Sequence, residues 1–281
     1  MSKQVWFITG ASKGLGLALA KRLLQQGYKV AATSRRIDSL VKAIGPASDR
    51  FLPLQVDLAN EKSLEQAVQK TVESLGTLDV VVNNAGYGQF GTIEEVSDEE
   101  ARENFNVNVF GTLNVIRAVL PVLREKKSGH IFNIASIGGY AGAFPGVGVY
   151  CATKFAVAGL TEGLQADLAP LGVHVTLVYP GYFKTNFLDK DSMAKPKKFI
   201  AQYEQAHHVV KQHEEVINQN QQGDPVKAAD ALIQMALESN PAFHLFLGSD
   251  AFAMAEEKIK SVQAELTKWK QITHSTDSDK S

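Results

Sequence analysis

One cysteine, Cys151, stands among 281 residues. No intrachain disulfide can form, and a reducing compartment is the simplest setting. Neither sign of charge is in excess. The 29 basic and 30 acidic side chains leave a formal net charge of -1, which removes any global pull toward nucleic acid or an anionic membrane. No apolar run approaches the roughly 20 residues of a membrane span. Met1-Ser2-Lys3-Gln4 leads straight into a strand pattern, without the charged-then-apolar layout of a secretory signal. The expectation is a cytoplasmic protein with no nucleic-acid or membrane partner. The histidines lack metal-ligand spacing. His207, His208 and His213 share one polar stretch that reads as a solvated face, so no metal is expected.

What the chain does have is alternation. Short apolar runs at 4–9, 28–34, 51–55, 79–83, 129–135, 173–179 and 243–247 read as strands. Amphipathic stretches near 14–26, 38–44, 61–75, 98–124, 149–169 and 225–238 read as helices between them. Strands buried on both faces and separated by helices predict one α/β domain, a doubly wound parallel sheet of Rossmann type over residues 1–272. Ser97 with Glu100 forms a capping box, Gly27 suits the position after a helix, Asp224-Pro225 opens one, and Pro170 ends one. Residues 250–272 read as a further amphipathic helix and 273–281 as a disordered tail.

Chemistry concentrates where strands end. The first strand runs into Gly10-Ala11-Ser12-Lys13-Gly14-Leu15-Gly16. Gly10 permits the turn, Gly14 lets backbone approach a phosphate, and Gly16 lets the helix pack against the sheet. The helix N-terminus then offers N–H groups to a pyrophosphate. The second strand ends Ser34-Arg35-Arg36 with no acid until Asp38. Together with Lys13 this favours the 2′-phosphate of NADP(H) over NAD(H), although NAD(H) remains possible and surface arginines at a strand end are common. Asn84-Ala85-Gly86 ends another strand with small residues that let a flat ring lie on the backbone.

Tyr150 and Lys154 are four apart at the start of a helix and share one face. A free phenol has a pKa of about 10. A fixed cation beside it is expected to lower that value and make Tyr150 an acid/base for an alcohol or carbonyl oxygen. Ser136, at the end of the preceding strand, is placed to hold that oxygen. A Tyr-xxx-Lys pair is common on surfaces; the upstream Ser136 and the strand-end position distinguish this one. Cys151 adjoins Tyr150, but neighbours in a helix do not share a face, so it reads as a packed thiol.

These motifs resemble those of the classical short-chain dehydrogenase/reductase family, in its hydroxysteroid- or retinol-dehydrogenase-like branch. The matching set adds Asp57, Asn108 and Pro180-Gly181 followed by Thr185, and covers about residues 3–190. The resemblance implies Tyr150 as acid/base, Ser136 as its partner, Lys154 on the cofactor ribose and Asn108 in a proton relay. It also implies Asp57 and Leu58 beside the adenine, with Thr185 beside the carboxamide. The implied function is an NADP(H)-dependent carbonyl reductase or alcohol dehydrogenase acting on a small apolar substrate, as a homo-oligomer (dimer or tetramer). The alternatives are a sensor that binds the cofactor without turnover, and an epimerase or dehydratase. Phe144, Tyr182, Phe183 and Phe187 are candidates for an apolar wall lined also by Tyr140. Residues 186–222 are expected to form either a lid, with Phe187, Phe199 and Tyr203 over the substrate and Lys195, Lys197 and Lys198 in water, or a fixed surface helix that supports dimer packing.

Overall fold

The computed structural model describes residues 4–189, 192–218 and 220–278. Among them are nine strands: β1 (Val5–Ile8), β2 (Lys29–Ser34), β3 (Phe51–Gln55), β4 (Val80–Asn83), β5 (Gly88–Gln89), β6 (Gly129–Ile134), β7 (Val173–Pro180), β8 (Met193–Ala194) and β9 (His244–Leu247). Seven form one sheet in the order β3-β2-β1-β4-β6-β7-β9, every pair parallel. Each of these seven strands begins and ends within one residue of its expected position. The order reverses between β1 and β4, and in open parallel sheets the crevice at the carboxyl ends of such a pair is where ligands bind.

Ten α-helices surround the sheet: α1 (Gly14–Gln25), α2 (Ile37–Ile44), α3 (Glu61–Leu75), α4 (Asp98–Phe105), α5 (Gly111–Lys126), α6 (Gly148–Leu168), α7 (Glu204–Gln212), α8 (Pro225–Leu237), α9 (Ser249–Lys268) and α10 (Lys270–His274), among the described residues. Alternate strand residues feed two cores. Trp6, Ile8 and Val82 meet Leu19 and Leu23 of α1 and Leu232 of α8 on one face. Val5, Phe7 and Val81 meet α3, α5 and α6 on the other. Each such side chain contributes about 1.5–3 kcal/mol by leaving water. The Ser97–Glu100 capping box, the Asp224 cap and the left-handed Gly27 are all present. α6 gives way at Ala169–Leu171, around Pro170.

Three departures bear on function. The helix expected over 98–124 is split by a π-turn at Asn106–Phe110, where the Gly111 N–H reaches the Asn106 carbonyl. The extra residue turns Asn108 into the interior, where it is buried. As a whole, Asp98–Lys126 is long and apolar enough to cross a bilayer, yet Val115, Val119 and Leu123 are committed to the core. At the other end the chain stays helical through His274, so Thr273 and His274 are not disordered as expected; residues 279–281 lie outside the described ones.

The third departure is the segment 186–222, of which 190, 191 and 219 lie outside the described residues. It is fastened to the rim of the sheet. β5 and β8 pair in parallel, Gly88 with Met193 and Gln89 with Ala194. Beyond them the buried Glu95 carboxylate accepts from the Ile200 N–H at 2.8 Å and from the Thr92 N–H and hydroxyl, and pairs with His207 Nε2 at 2.7 Å. His207 also stacks on Phe199, and His213 is buried, so only His208 of the three keeps the solvated position expected for all. Burial alone would raise the Glu95 pKa, but these donors outweigh it and hold it at about 2.

An unfolded glutamate titrates near 4.3. The depressed folded value means that Glu95 contributes stability above that pH and loses it as pH falls toward about 2. Glu95→Gln is therefore expected to cost about 2 kcal/mol near neutrality, the scale of one or two hydrogen bonds to a charged group. The difference from the parent should shrink as pH drops below about 4.3. Urea unfolding at several pH values measures it. A pH-independent difference would mean that the carboxylate charge does not hold the segment.

Candidate active site

At the switch point the ends of β1 and β4 are drawn together by side chains. The Thr9 hydroxyl accepts the N–H of Asn84 at 3.0 Å and of Ala85 at 3.1 Å. Asn84 Nδ2 returns bonds to the Thr9 and Gly10 carbonyls. The approach leaves no room for side chains. A methyl on Gly10 would sit 2.8 Å from the Ala85 Cα, and one on Gly16 would meet Asn84 Nδ2 at 2.5 Å. Gly10 and Gly14 have φ of 64° and 62°, left-handed values that glycine adopts freely. Above Gly14 there is space: a methyl there would touch only Thr185, at 3.8 Å. α1 starts without a side-chain cap. A glycine-lined cradle at an uncapped helix N-terminus fits the pyrophosphate of a dinucleotide.

The β2 end lies beside this loop. The Ser34 hydroxyl reaches that of Ser12 at 3.4 Å, and the Ala11 N–H donates to the Thr33 carbonyl. Lys13 and Arg35 are exposed there. Asp57 follows β3, its carboxylate accepting from the Ala59 N–H, and Leu58 lies against Gly111 with its carbonyl held by Asn114.

Tyr150, Ser136 and Lys154 converge farther along the carboxyl edge. A methyl on Gly138 would lie 3.5 Å from Ser136 Oγ, 3.9 Å from the Tyr150 ring and 3.1 Å from Cys151 Sγ. Gly139 lets the backbone of α6 close in at Lys154. Lys154 is buried and its ammonium donates to the Ile134 carbonyl at 2.8 Å, with Gly86 and Asn108 beside it. Asn108 Oδ1 accepts the Tyr87 N–H, and Nδ2 donates to the Tyr87 carbonyl and to Thr153 Oγ1. Thr153 in turn donates to the Tyr150 carbonyl. The π-turn is thus wired to the turn of α6 that carries the tyrosine.

The electrostatics correct one expectation. Tyr150 does not have a lowered pKa in the protein alone. Burial pushes it well above 10, against the smaller opposing pull of the Ser136 hydroxyl. Lys154 Nζ is 6.0 Å from the ring centroid and is turned to a carbonyl, and burial lowers its own pKa to about 8. Cys151, pushed up to about 11 by burial, is a packed thiol as expected.

An apolar cluster packs beside these groups. Phe187 packs 5.7 Å from the Tyr150 ring, and Phe144, Leu188, Met193 and Val210 complete the surface with Val147 and Cys151. Several expectations change here. Phe183 packs into the core beside α8. Tyr140 packs on Tyr179 and Phe246, in a different cluster. Phe199 is 72% exposed, and Tyr203 points its hydroxyl at Glu94. Tyr182 serves as a polar partner rather than an apolar wall: its hydroxyl meets His213 Nε2 at 2.8 Å. Among the lysines, Lys195 pairs with Glu214 and Lys198 with Glu94 at the surface.

Asp250, in Gly248-Ser249-Asp250, is a further residue of the site that the sequence analysis missed. Its carboxylate accepts the Tyr182 N–H at 2.7 Å and fills the space a Gly181 side chain would need. The Gly181 N–H donates to the Leu247 carbonyl. Pro180-Gly181 is thereby fixed, and the chain is delivered to Thr185 above Gly14. The two partners, Tyr182 and Asp250, stand 68 residues apart, so their contact has no periodic signal. The acid after a glycine is its only trace. No cluster of three metal-ligating side chains occurs among the described residues.

Comparison with known proteins agrees with this geometry. The short chain dehydrogenase family model matches residues 4–196. The oxidoreductase BOA17 of Botryotinia fuckeliana is 33% identical over 274 residues, 96% of this chain and 98% of its own. Human 17-beta-hydroxysteroid dehydrogenase type 1 is 37% identical over 199 residues, 68% of this chain and 60% of its own. A short-chain dehydrogenase structure from Streptomyces avermitilis superposes with a TM-score of 0.90 at 34% identity, covering 99% of this chain and 100% of its own. One from Burkholderia cenocepacia in complex with NADP superposes at 0.72 with 29% identity, covering 95% and 97%. The chain belongs to the short-chain dehydrogenase/reductase family and is an oxidoreductase with a site for a nicotinamide cofactor.

Proposed function

We propose that this enzyme reduces a small apolar ketone or aldehyde to the alcohol with NADPH, reversibly, in the cytoplasm. The observation that carries the reading is the convergence of Ser136, Tyr150 and Lys154 at the carboxyl edge of the sheet, beside an apolar cluster. When bound, the reduced nicotinamide supplies a hydride to the carbonyl carbon. Tyr150 supplies the proton to the carbonyl oxygen. Its raised pKa keeps the phenol protonated at neutral pH, which suits a donor in the reductive direction. Ser136 donates a hydrogen bond to the same oxygen. Lys154 is cationic below about 8 and holds the cofactor ribose, where its charge offsets the phenolate left by proton transfer. Asn108 positions α6 through Thr153 and closes the relay that returns a proton to Tyr150.

Cofactor contacts follow the same placement. Gly10, Gly14, Leu15 and Gly16 would cradle the pyrophosphate; Ser12, Lys13, Ser34 and Arg35 would face the 2′-phosphate. Asp57 and Leu58 would flank the adenine, and Asn84, Ala85, Gly86, Pro180, Gly181 and Thr185 the nicotinamide end. The Burkholderia cenocepacia neighbour, in complex with NADP, supports the phosphorylated cofactor. Segment 186–222 would act as a lid whose inner surface is Phe187, Leu188, Met193 and Val210.

A panel of carbonyl compounds scored by NADPH oxidation tests the reaction class, because an epimerase, a dehydratase or a sensor gives no net oxidation. Tyr150→Phe is expected to lower kcat about 10²- to 10⁴-fold with cofactor affinity nearly unchanged. Activity within about twofold of the parent would remove Tyr150 from the chemistry. Arg35→Asp should move the NADPH-to-NADH ratio of kcat/KM toward NADH by about tenfold or more, or roughly 1.4 kcal/mol. An unchanged ratio would leave Arg35 facing water. Hydrogen exchange should show 192–212 gaining protection when cofactor and a substrate analogue bind together; equal protection in every state would make the segment a fixed cover.

A further inference from the structure

The first turns of α9 meet two parts of the site. Ala251 and Ala255 are buried against Ile137, the residue that follows Ser136. Asp250, one residue earlier, bonds instead to the stretch after β7: its Oδ2 accepts the Tyr182 N–H at 2.7 Å. Every described residue from 256 to 278 is exposed, so these turns are where α9 joins the body of the protein.

The Asp250 carboxylate occupies a niche between two glycines. A side chain on Gly181 would overlap both of its oxygens, and one on Gly248 would overlap Oδ1. Gly248 has φ of 100°, which already calls for glycine. The Gly181 backbone lies outside the left-handed region, so the need for glycine at 181 comes from the carboxylate itself. A negative charge in the first turn of a helix is also favoured by the unpaired N–H groups there.

Backbone partners hold the neighbours of Tyr182. The Gly181 N–H donates to the Leu247 carbonyl, the Lys184 N–H to the Gly223 carbonyl, and the Gly223 N–H to the Tyr182 carbonyl. Phe183 is packed against the core. The Tyr182 N–H, by contrast, depends on a side chain, so a single substitution can remove its bond. Three residues on, Thr185 stands 3.8 Å from the place of a Gly14 methyl, at the rim of the glycine loop.

We propose that Asp250 is a positioning residue for hydride transfer. It ties the Gly181–Tyr182 backbone to the helix that also packs on Ile137, and so holds the Thr185 end of the cofactor site in place relative to Ser136. The inference rests on the proposed reduction with NADPH and adds to it a residue that acts through Tyr182. Lys13, Ser34 and Arg35 do not depend on this bond, so loss of Asp250 should spare cofactor binding and impair the reaction. Hydride transfer needs donor and carbon in a narrow geometry, and a misplacement of about 1 Å can cost roughly 10²-fold.

Full-length Asp250→Ala and Asp250→Asn test the proposal, since asparagine keeps an oxygen for the Tyr182 N–H. Hydrogen exchange without cofactor reads the local effect. In Asp250→Ala the amides of 181–188 should exchange at least about tenfold faster, the scale of one hydrogen bond to a charged group, with α1 unchanged. With a carbonyl compound that the parent reduces, kcat should fall about 10- to 10²-fold, while the Kd of NADPH, read from its fluorescence, stays within about threefold. Asp250→Asn should keep kcat within about threefold of the parent. A merely structural role would lower Tm and leave kcat per folded enzyme within about twofold of the parent. That result, unchanged exchange at 181–188, or an asparagine variant as slow as the alanine one would each overturn the proposal. Gly181→Ala, whose methyl meets the carboxylate, should give the same faster exchange and lower kcat, and it decides the matter if Asp250→Ala does not fold. A parent that reduces no carbonyl compound would remove the proposed reaction, whereas unchanged exchange in the variants would remove Asp250 alone.

Discussion

The site depends on how closely the end of β1 approaches the end of β4. Thr9 takes two N–H groups of the 84–86 turn with one hydroxyl, and Asn84 donates in return to both carbonyls of the β1 turn. Buried backbone polar groups left without partners would each cost about 1–3 kcal/mol. The four bonds therefore hold the strand ends at a distance only glycine tolerates at positions 10 and 16. α1 can then start at the floor of the crevice with its axis aimed into it. One added methyl at Gly10 would move Ala85, and with it the surface on which a nicotinamide would lie.

A second network carries that constraint to α6. Asn83 donates to Asn133, and Asn133 donates to Thr161, which bonds back to the Val157 carbonyl. Asn108 reaches Thr153, closer to Tyr150. α6 is thereby pinned at two levels by side chains from the sheet and from the π-turn. Lys154, pinned to the Ile134 carbonyl, cannot swing freely toward the phenol. Burial acts oppositely on the two groups, since it penalises phenolate in one and ammonium in the other. The free protein therefore holds Tyr150 protonated, while Lys154 keeps its charge only below about 8.

Most of the fold and the placement of Ser136, Tyr150 and Lys154 were legible because they rest on local signals. Buried parallel strands are near-continuous apolar runs, and their ends fall where Gly, Asn and Ser begin. The glycine loop and Tyr150-xxx-Lys154 sit at fixed offsets from those ends. What escaped depends on pairings distant in sequence. His207 looked like part of a solvated face, yet it is the partner of Glu95 across 112 residues. β5 and β8 are two residues each, too short to show a period. Phe183 and Tyr140 are aromatic residues beside the site, and composition does not say which way a ring points. The π-turn leaves no mark in an apolar pattern that continues on both sides of it.

A polar contact at the edge of the apolar cluster ties the 186–222 segment to the stretch that follows β7. His213 Nδ1 lies 2.8 Å from the Val209 carbonyl and Nε2 lies 2.8 Å from the Tyr182 hydroxyl. Tyr182 is itself fixed through its N–H by Asp250, at the head of α9. The segment therefore rests on two different kinds of anchor. At the outer rim Glu95 gathers four donors around a charge. At the inner end one hydrogen bond, between the Tyr182 hydroxyl and His213 Nε2, joins the segment to the stretch that delivers Thr185. The outer anchor is the stronger, because hydrogen bonds to a charged group are worth roughly twice neutral ones.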